Sequence, residues 1–334
     1  MVQNFEGFMK KYGLIVYENE IYKNRNWINL GDYVQSTAAK QFIPSHDAFI
    51  SRDHMNSYSG DLVKMIMNAW YMDIPENFPP SKNISPLYVS MHLNTTILDR
   101  FFSNETINHL KAHEPIGCRD LHTKEILEKK GIKAYYSGCM TLTLGHTYKR
   151  KNLTDNVYIV DPMYDSMTLP ELIRKPLRFG KRILNGRAFE FNHRQKVLER
   201  HFDREILDSA QYIDQIIPYV DAQDGFELAH NFLEKISSAK LVITSRIHTA
   251  LPCLAIGTPV IFINGGFKNI LDNCRFNGLI DFFNRIDVDS KCKSIINYPA
   301  INGKISFSNI PENKNMHEEF AATLSETCQK FIAS

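Results

Sequence analysis

The stretch Ser237–Ile263, SSAKLVITSRIHTALPCLAIGTPVIFI, limits what this chain can fold into more than any other part of it. Leu241–Thr244 and Val260–Ile263 are short apolar runs rich in β-branched residues, bounded by polar and turn residues. Such runs suit strands buried on both faces, and the helix-length segment between them makes a βαβ unit with parallel strands. Gly257-Thr258-Pro259 marks the turn into the second strand. Open α/β sheets bind ligands at the carboxyl ends of their strands, and the chain puts Ser245-Arg246-Ile247-His248 there. Pro252 lacks an N–H and fits a helix's first turn, so Ser245–His248 is expected in the connection leading into the helix. Free backbone N–H groups at that place favour an anion. An arginine at a helix start is often merely solvated and a lone histidine is more often structural, so the case depends on what joins them.

The same alternation recurs along the chain. Strand-like runs occur at Tyr12–Tyr17, Ala48–Ser51, Leu62–Met67, Leu87–Met91 and Tyr135–Gly138, and again at Val157–Asp161 and Tyr212–Ile217. Between them lie helical segments such as Leu121–Lys130, closed by Gly131, and the amphipathic Gly225–Ser238. At 334 residues the chain is long for one small core. The expected fold is α/β, with two doubly wound Rossmann-like domains facing a cleft. The polar Lys149–Asp155 separates residues 1–150 from residues 151–312, and a helix within 313–334 is expected to brace the two.

Composition excludes several classes. A formal charge of +2 gives no reason to expect nucleic acid. The cysteines at 118, 139, 253, 274, 292 and 328 form no CxxC or metal-finger spacing, so free thiols in a reducing compartment and no metal are expected. No apolar run reaches the roughly 18 residues of a membrane span. Met1–Glu20 lacks a basic start followed by a long apolar core, so a cytoplasmic protein is expected. One block stands out: residues 174–204 hold ten Lys/Arg against three Asp/Glu. It reads first as a solvated helical face, and otherwise as a peripheral contact for an anionic membrane surface or a diphosphate-bearing substrate.

The candidate site gathers cations from both halves. Arg119 sits where a strand hands over to a helix, as Arg246 does, and Lys268 and Arg275 lie in loops beyond the next strand. Arg grips carboxylate or phosphate in bidentate fashion, and a neighbouring His can move a proton near neutral pH. The N-terminal half offers Asn29-Leu30-Gly31-Asp32 ahead of a helix through Ala39, where Gly31 suggests a tight turn and Asp32 an N-cap. GxGxxG is absent there. Asn68, Trp70 and His92 end further strands, Trp70 being either core or a platform for a sugar ring. These residues reach as far as a transferase with a phosphorylated donor, and physics alone does not name the donor.

Four segments resemble the polysaccharide pyruvyl transferase family. They are Asn29–Ser36; Gly117-Cys118-Arg119-Asp120 with Thr123, Leu127 and Gly131; Ser137–Thr141; and Leu241–Pro259 with Ser245-Arg246-Ile247-His248 inside it. The resemblance implies an architecture like B-type glycosyltransferases. It also implies transfer of the enolpyruvyl group of phosphoenolpyruvate to two sugar hydroxyls, giving a cyclic ketal. On this resemblance Arg119, Ser245, Arg246, Lys268 and Arg275 bind the donor, with Arg246 and Arg119 as clamps. His248 is the acid, acting on the donor's methylene carbon or on its departing phosphate. Asn29, Asp32, Asn68, Trp70 and His92 face the acceptor, which could carry a lipid or nucleotide diphosphate. No cofactor other than the donor substrate is implied. The basic block 174–204 matches none of the family's motifs. A sugar-nucleotide glycosyltransferase of the same architecture is the alternative, and a non-catalytic sugar-binding protein a third reading.

Overall fold

The computed structural model describes residues 10–166, 192–267, 274–299 and 303–334. In the first half the strands are Lys11–Val16 (β1), Trp27–Asn29 (β2), Ala48–Ser51 (β3), Val63–Met67 (β4), Trp70–Tyr71 (β5), Ile84–Tyr88 (β6), His92–Leu93 (β7), Ile116–Cys118 (β8) and Ala134–Tyr136 (β9). The second half has Val157–Val160 (β10), Ala210–Ile213 (β11), Ile216–Pro218 (β12), Leu241–Thr244 (β13), Val260–Asn264 (β14), Asn284–Val288 (β15) and Ser294–Ile296 (β16). One sheet is parallel, in the order β3-β1-β4-β6, and a second runs β11-β10-β13-β14-β15-β16 with only β16 antiparallel. The chain is therefore an α/β protein built on parallel sheets.

The apolar runs of the second sheet follow from its double cover. Tyr158, Val160, Val242, Val260 and Phe262 point into the main core, which continues through the first half to Leu14 and Ile15. Val157, Ile159, Leu241, Ile243, Ile261 and Ile263 alternate to the other face and a smaller core with Val197, Leu198 and Phe202. Period-two geometry with both faces buried confines polar residues to the strand ends, at Thr244 and Asn264, which is why the sequence of these strands shows no alternation.

Four expectations need correction. The run Tyr212–Ile217 breaks into β11 and β12, because β12 leaves the sheet to pair antiparallel with β2 of the other half. The strand expected at Leu87–Met91 is β6, shifted earlier; it admits Pro86 because β6 is an edge strand, and Ser90 turns out of it at φ 53°. The helix after β13 spans Ile247–Ile256 and begins before the predicted point, so Pro252 lies inside it and His248 in its first turn. Packing overrides propensity here: nearly every residue of that helix is buried, and it tolerates a missing bond to the His248 carbonyl. Asn29, not Asp32, caps the helix Leu30–Lys40, its Oδ1 accepting the Gly31 N–H at 3.1 Å.

Gly31 matters for a reason other than a turn. A Cβ there would stand 2.0 Å from Gln215 Nε2 and 2.9 Å from the His248 Cβ, so only glycine lets this helix approach the second half. The C-terminal helix, Glu318–Ala333, packs Phe320 against Tyr136 and Phe282, and Phe331 O accepts from Lys64 Nζ at 2.6 Å. It thus touches elements of both halves.

Candidate active site

A cavity of about 340 Å3 opens at the carboxyl ends of β13 and β7, between the Leu30–Lys40 helix and the Ile247–Ile256 helix. Other described cavities are larger, but this one gathers Asn29, Asp32, Trp70, His92, Arg119, Ser245, Arg246, His248 and Arg275. Asn68 stays out of it: its side chain is buried and donates to the Gln35 carbonyl at 2.8 Å. Lys268 lies outside the described residues.

The strand-end motif divides its labour. The Ser245 hydroxyl donates to Ile263 O at 2.5 Å and accepts from the Met163 N–H at 2.8 Å, so it ties β13 to its neighbours and is already occupied. Arg246 donates from Nε to Asp161 at 2.7 Å and lies 4.0 Å over the Tyr164 ring. Its guanidinium is thereby aimed and partly neutralised before any ligand arrives. His248 is buried, and its Nε2 has no hydrogen-bond partner. Burial drives its pKa well below the usual value, and Arg119, Arg275, His92 and Arg246 push the same way. The ring is neutral near pH 7.

Arg119 is a poorly compensated cation. It is 2% exposed, Nε and Nη2 have no hydrogen-bond partner, and its nearest carboxylate, Asp120, stands at 3.5 Å. Asp120 is also engaged elsewhere: it caps the Leu121–Lys129 helix through the Thr123 N–H and accepts from His92 Nδ1 at 2.6 Å. Burial alone would raise the Asp120 carboxyl, but His92, Arg119 and Thr123 outweigh it and hold it at about 2. Burial and Arg119 lower His92 to about 4, so the pair is a neutral imidazole donating to an ionised carboxylate. Arg275 donates to the Tyr164 hydroxyl, and its Nε is buried without a partner. A buried guanidinium with open N–H groups beside a neutral, open imidazole suits a compact polyanion.

On the opposite wall Asp32 is half-buried. Loss of hydration lifts its pKa to about 6, with Arg52 opposing the rise. Sequence reasoning missed much of this wall. Arg25 lies 3.8 Å over Trp27 and 4.0 Å over Tyr22, and all three line the cavity with Asp73. Fully buried Arg52 pairs with Asp53 and Asp73 and sits 4.5 Å over Trp70. The available signal was that both tryptophans of the chain, Trp27 and Trp70, lie in the N-terminal half, where they open the short strands β2 and β5.

Gln215 joins the two walls. Its side chain donates to Asn29 Oδ1 at 2.8 Å and accepts from Thr249 Oγ1 at 2.6 Å. Its backbone N–H donates to Asp161, the partner of Arg246, and its carbonyl accepts from the Leu30 N–H. Gln215→Ala leaves the fully buried Thr249 hydroxyl without this partner, so a stability loss of about 1–3 kcal/mol is expected in urea unfolding. Gly31→Ala is expected to be more harmful, because its Cβ drives the two helices apart.

Among the described residues no three His, Cys, Asp or Glu side chains cluster to hold a metal, and no helix is long and apolar enough to cross a membrane. Residues 174–191 of the basic block lie outside the described residues. In its described end Arg200 donates to Cys292 O and Arg204 pairs with Asp208.

Fold and cleft define an α/β protein with a cationic cleft at its parallel strand ends, in which a buried imidazole has a nitrogen without a hydrogen-bond partner. The sequence model of the polysaccharide pyruvyl transferase family matches residues 29–266, a span from Asn29 to Gly266 that contains Arg119 and Ser245–His248. The chain belongs to this family, and is a transferase of polysaccharide synthesis. No curated protein and no solved structure matches it.

Proposed function

We propose that the protein transfers the pyruvyl group of phosphoenolpyruvate to two hydroxyls of a sugar, forming a cyclic ketal and releasing phosphate. The observation that carries this reading is the open Arg119 guanidinium beside the open His248 Nε2 in one cavity. Phosphoenolpyruvate is a compact trianion. Arg119 and Arg275 offer unpaired N–H groups to its phosphate and carboxylate, Arg246 adds a guanidinium held by Asp161, and Lys268 is assigned to the same donor side.

His248 is neutral before the donor binds. Trianion binding offsets the surrounding cations, raises its pKa, and lets it hold the proton it delivers. Protonation of the donor's methylene carbon makes a methyl group and leaves an oxocarbenium-like centre at C2. The first sugar hydroxyl adds there and gives its proton to Asp32. Phosphate then leaves, and the second hydroxyl closes the ketal. Of the two hydroxyl protons, one replaces that taken by the methyl group and the other leaves with phosphate. Trp70 and the exposed Trp27 present flat faces to the sugar's C–H groups, with Arg25 at the mouth and Asn29 and His92 on the floor.

In this reading residues 1–150 serve the acceptor and 151–312 the donor, as two Rossmann-like domains of B-type glycosyltransferase arrangement braced by 313–334. The reaction takes place in the cytoplasm, where phosphoenolpyruvate is made, and the basic block 174–204 meets the membrane surface when the acceptor is lipid-linked.

Incubation with phosphoenolpyruvate and a panel of hexose glycosides is expected to release phosphate and add one pyruvyl ketal to an acceptor. Donor binding at pH 7 is expected to take up a proton, seen as a calorimetric enthalpy that varies with the buffer's ionisation enthalpy and loses that dependence in His248→Gln. Thermal stabilisation by a nucleotide sugar, with none by phosphoenolpyruvate, would instead favour glycosyl transfer.

A further inference from the structure

A separate cavity of about 660 Å3 lies beside the C-terminal part of the Leu30–Lys40 helix, against the Ala222–Ser237 helix. It shares no lining residue with the catalytic cleft. Asp32 and Thr37, which line the two, are separated by about 8 Å along the helix axis and about 140° around it.

The lining combines stacked rings with polar groups. His46 and Phe49 stack at 5.1 Å and 19°, and Phe49 and Phe226 at 5.6 Å and 24°. Phe49 is 43% exposed, although it belongs to the edge strand β3. Thr37 is 8% exposed, and its hydroxyl has no hydrogen-bond partner. Gln223 and Glu227 are exposed beside the rings, and Lys40 Nζ stands 5.0 Å over Phe226.

This mixture fits one ligand chemistry. A sugar presents an apolar C–H face, which packs on flat rings, and a belt of hydroxyls, which needs side chains that both donate and accept. Thr37 and Gln223 supply groups of both kinds, and the Glu227 carboxylate accepts. A polyanion is disfavoured, because the lining carries the Glu227 carboxylate as well as Lys40.

We propose that this groove is a second carbohydrate site, which holds a neutral stretch of the glycan acceptor while the cleft works on one of its sugars. The inference rests on the acceptor being a glycan chain, and it adds that the chain is long enough to pass round the Leu30–Lys40 helix. Long acceptors then bind more tightly than short ones, with the difference carried by KM and not by kcat.

The test is calorimetric titration of the full chain with cellohexaose, maltohexaose and galactohexaose, without phosphoenolpyruvate. At least one is expected to bind, with affinity reduced about tenfold in Phe49→Ala, reduced in His46→Ala, and unchanged in Arg119→Gln. Phosphate release with a monosaccharide glycoside is expected to be the same in Phe49→Ala as in the unaltered protein. Absence of binding by all three hexasaccharides at millimolar concentration overturns the proposal, as does binding that both ring variants leave intact. Hexasaccharide binding that depends on Phe49, in a protein that never turns over phosphoenolpyruvate, would support the groove and sink only the reaction proposed above.

Discussion

Arg119→Gln is expected to lower kcat/KM for phosphoenolpyruvate by about 10²–10³-fold while leaving the protein as stable as before, or more so. Loss of a charged partner in a desolvated site typically costs 2–5 kcal/mol of binding, hence the size of the effect. The unusual part is stability. Arg119 is buried with two nitrogens unpaired and only a shared carboxylate nearby, so its charge is a burden on the empty fold. Arg246→Gln makes the contrast. It removes the partner of Asp161, which also holds the Gln215 N–H, so it is expected to lower stability by about 1–3 kcal/mol as well as activity. Kinetics and urea unfolding on both variants check this. Wild-type donor affinity in Arg119→Gln would exclude the arginine from the donor site.

Asp32→Asn is expected to lower kcat by about 10²–10⁴-fold, the usual contribution of a placed general base, and to make the protein more stable at neutral pH. The sign follows from the pKa. The folded value is about 6, above the ordinary value of 3.8, so between these limits the folded state binds the proton more tightly. Keeping Asp32 ionised therefore opposes folding fully above pH 6, and this penalty fades as pH falls toward 3.8. Its size is about 2 kcal/mol, the full shift being discounted because Asp32 as a residue is only half-buried. The asparagine variant should gain that much at pH 7.5 and nothing at pH 3.5. In the unaltered protein, kcat is expected to rise through about pH 6 as the base ionises. A variant with unchanged kcat, or a wild-type profile flat from pH 5 to 7, would exclude Asp32 as the base.

The two substitutions share a cause. Both residues carry charge in places where water has been removed, and the fold supplies less compensation than the charge needs. Such incomplete compensation is how a site reserves affinity for a ligand.

How much of this was legible in the chain depends on the range of the interaction. Leu241–Thr244 and Val260–Asn264 could be read almost to the residue, because burial on both faces leaves an apolar run that no loop would carry. Arg119, Arg246 and His248 could be singled out because strand-to-helix junctions are local features of the sequence. Ser245 could not be judged: only the approach of β10 and β14 shows that its hydroxyl is already engaged. Trp27 and Arg25 were overlooked for the same kind of reason. Nothing near them in sequence says that β2 pairs with β12 and so brings them to the cleft.

By itself, then, the sequence determined an α/β fold of parallel strands, the strand ends at which the cleft opens, and membership of one family, since each is written in short-range pattern. The tertiary structure alone decided which charges are free. Arg119 stays open while Arg246 is held by Asp161, Asn68 turns away while Trp27 turns in, and Gln215 fastens Asn29 to Thr249. Partners of this kind stand tens to more than a hundred residues apart in the chain. Only folding sets their distance and removes the water between them, and in a charged cleft those two quantities fix which groups can act.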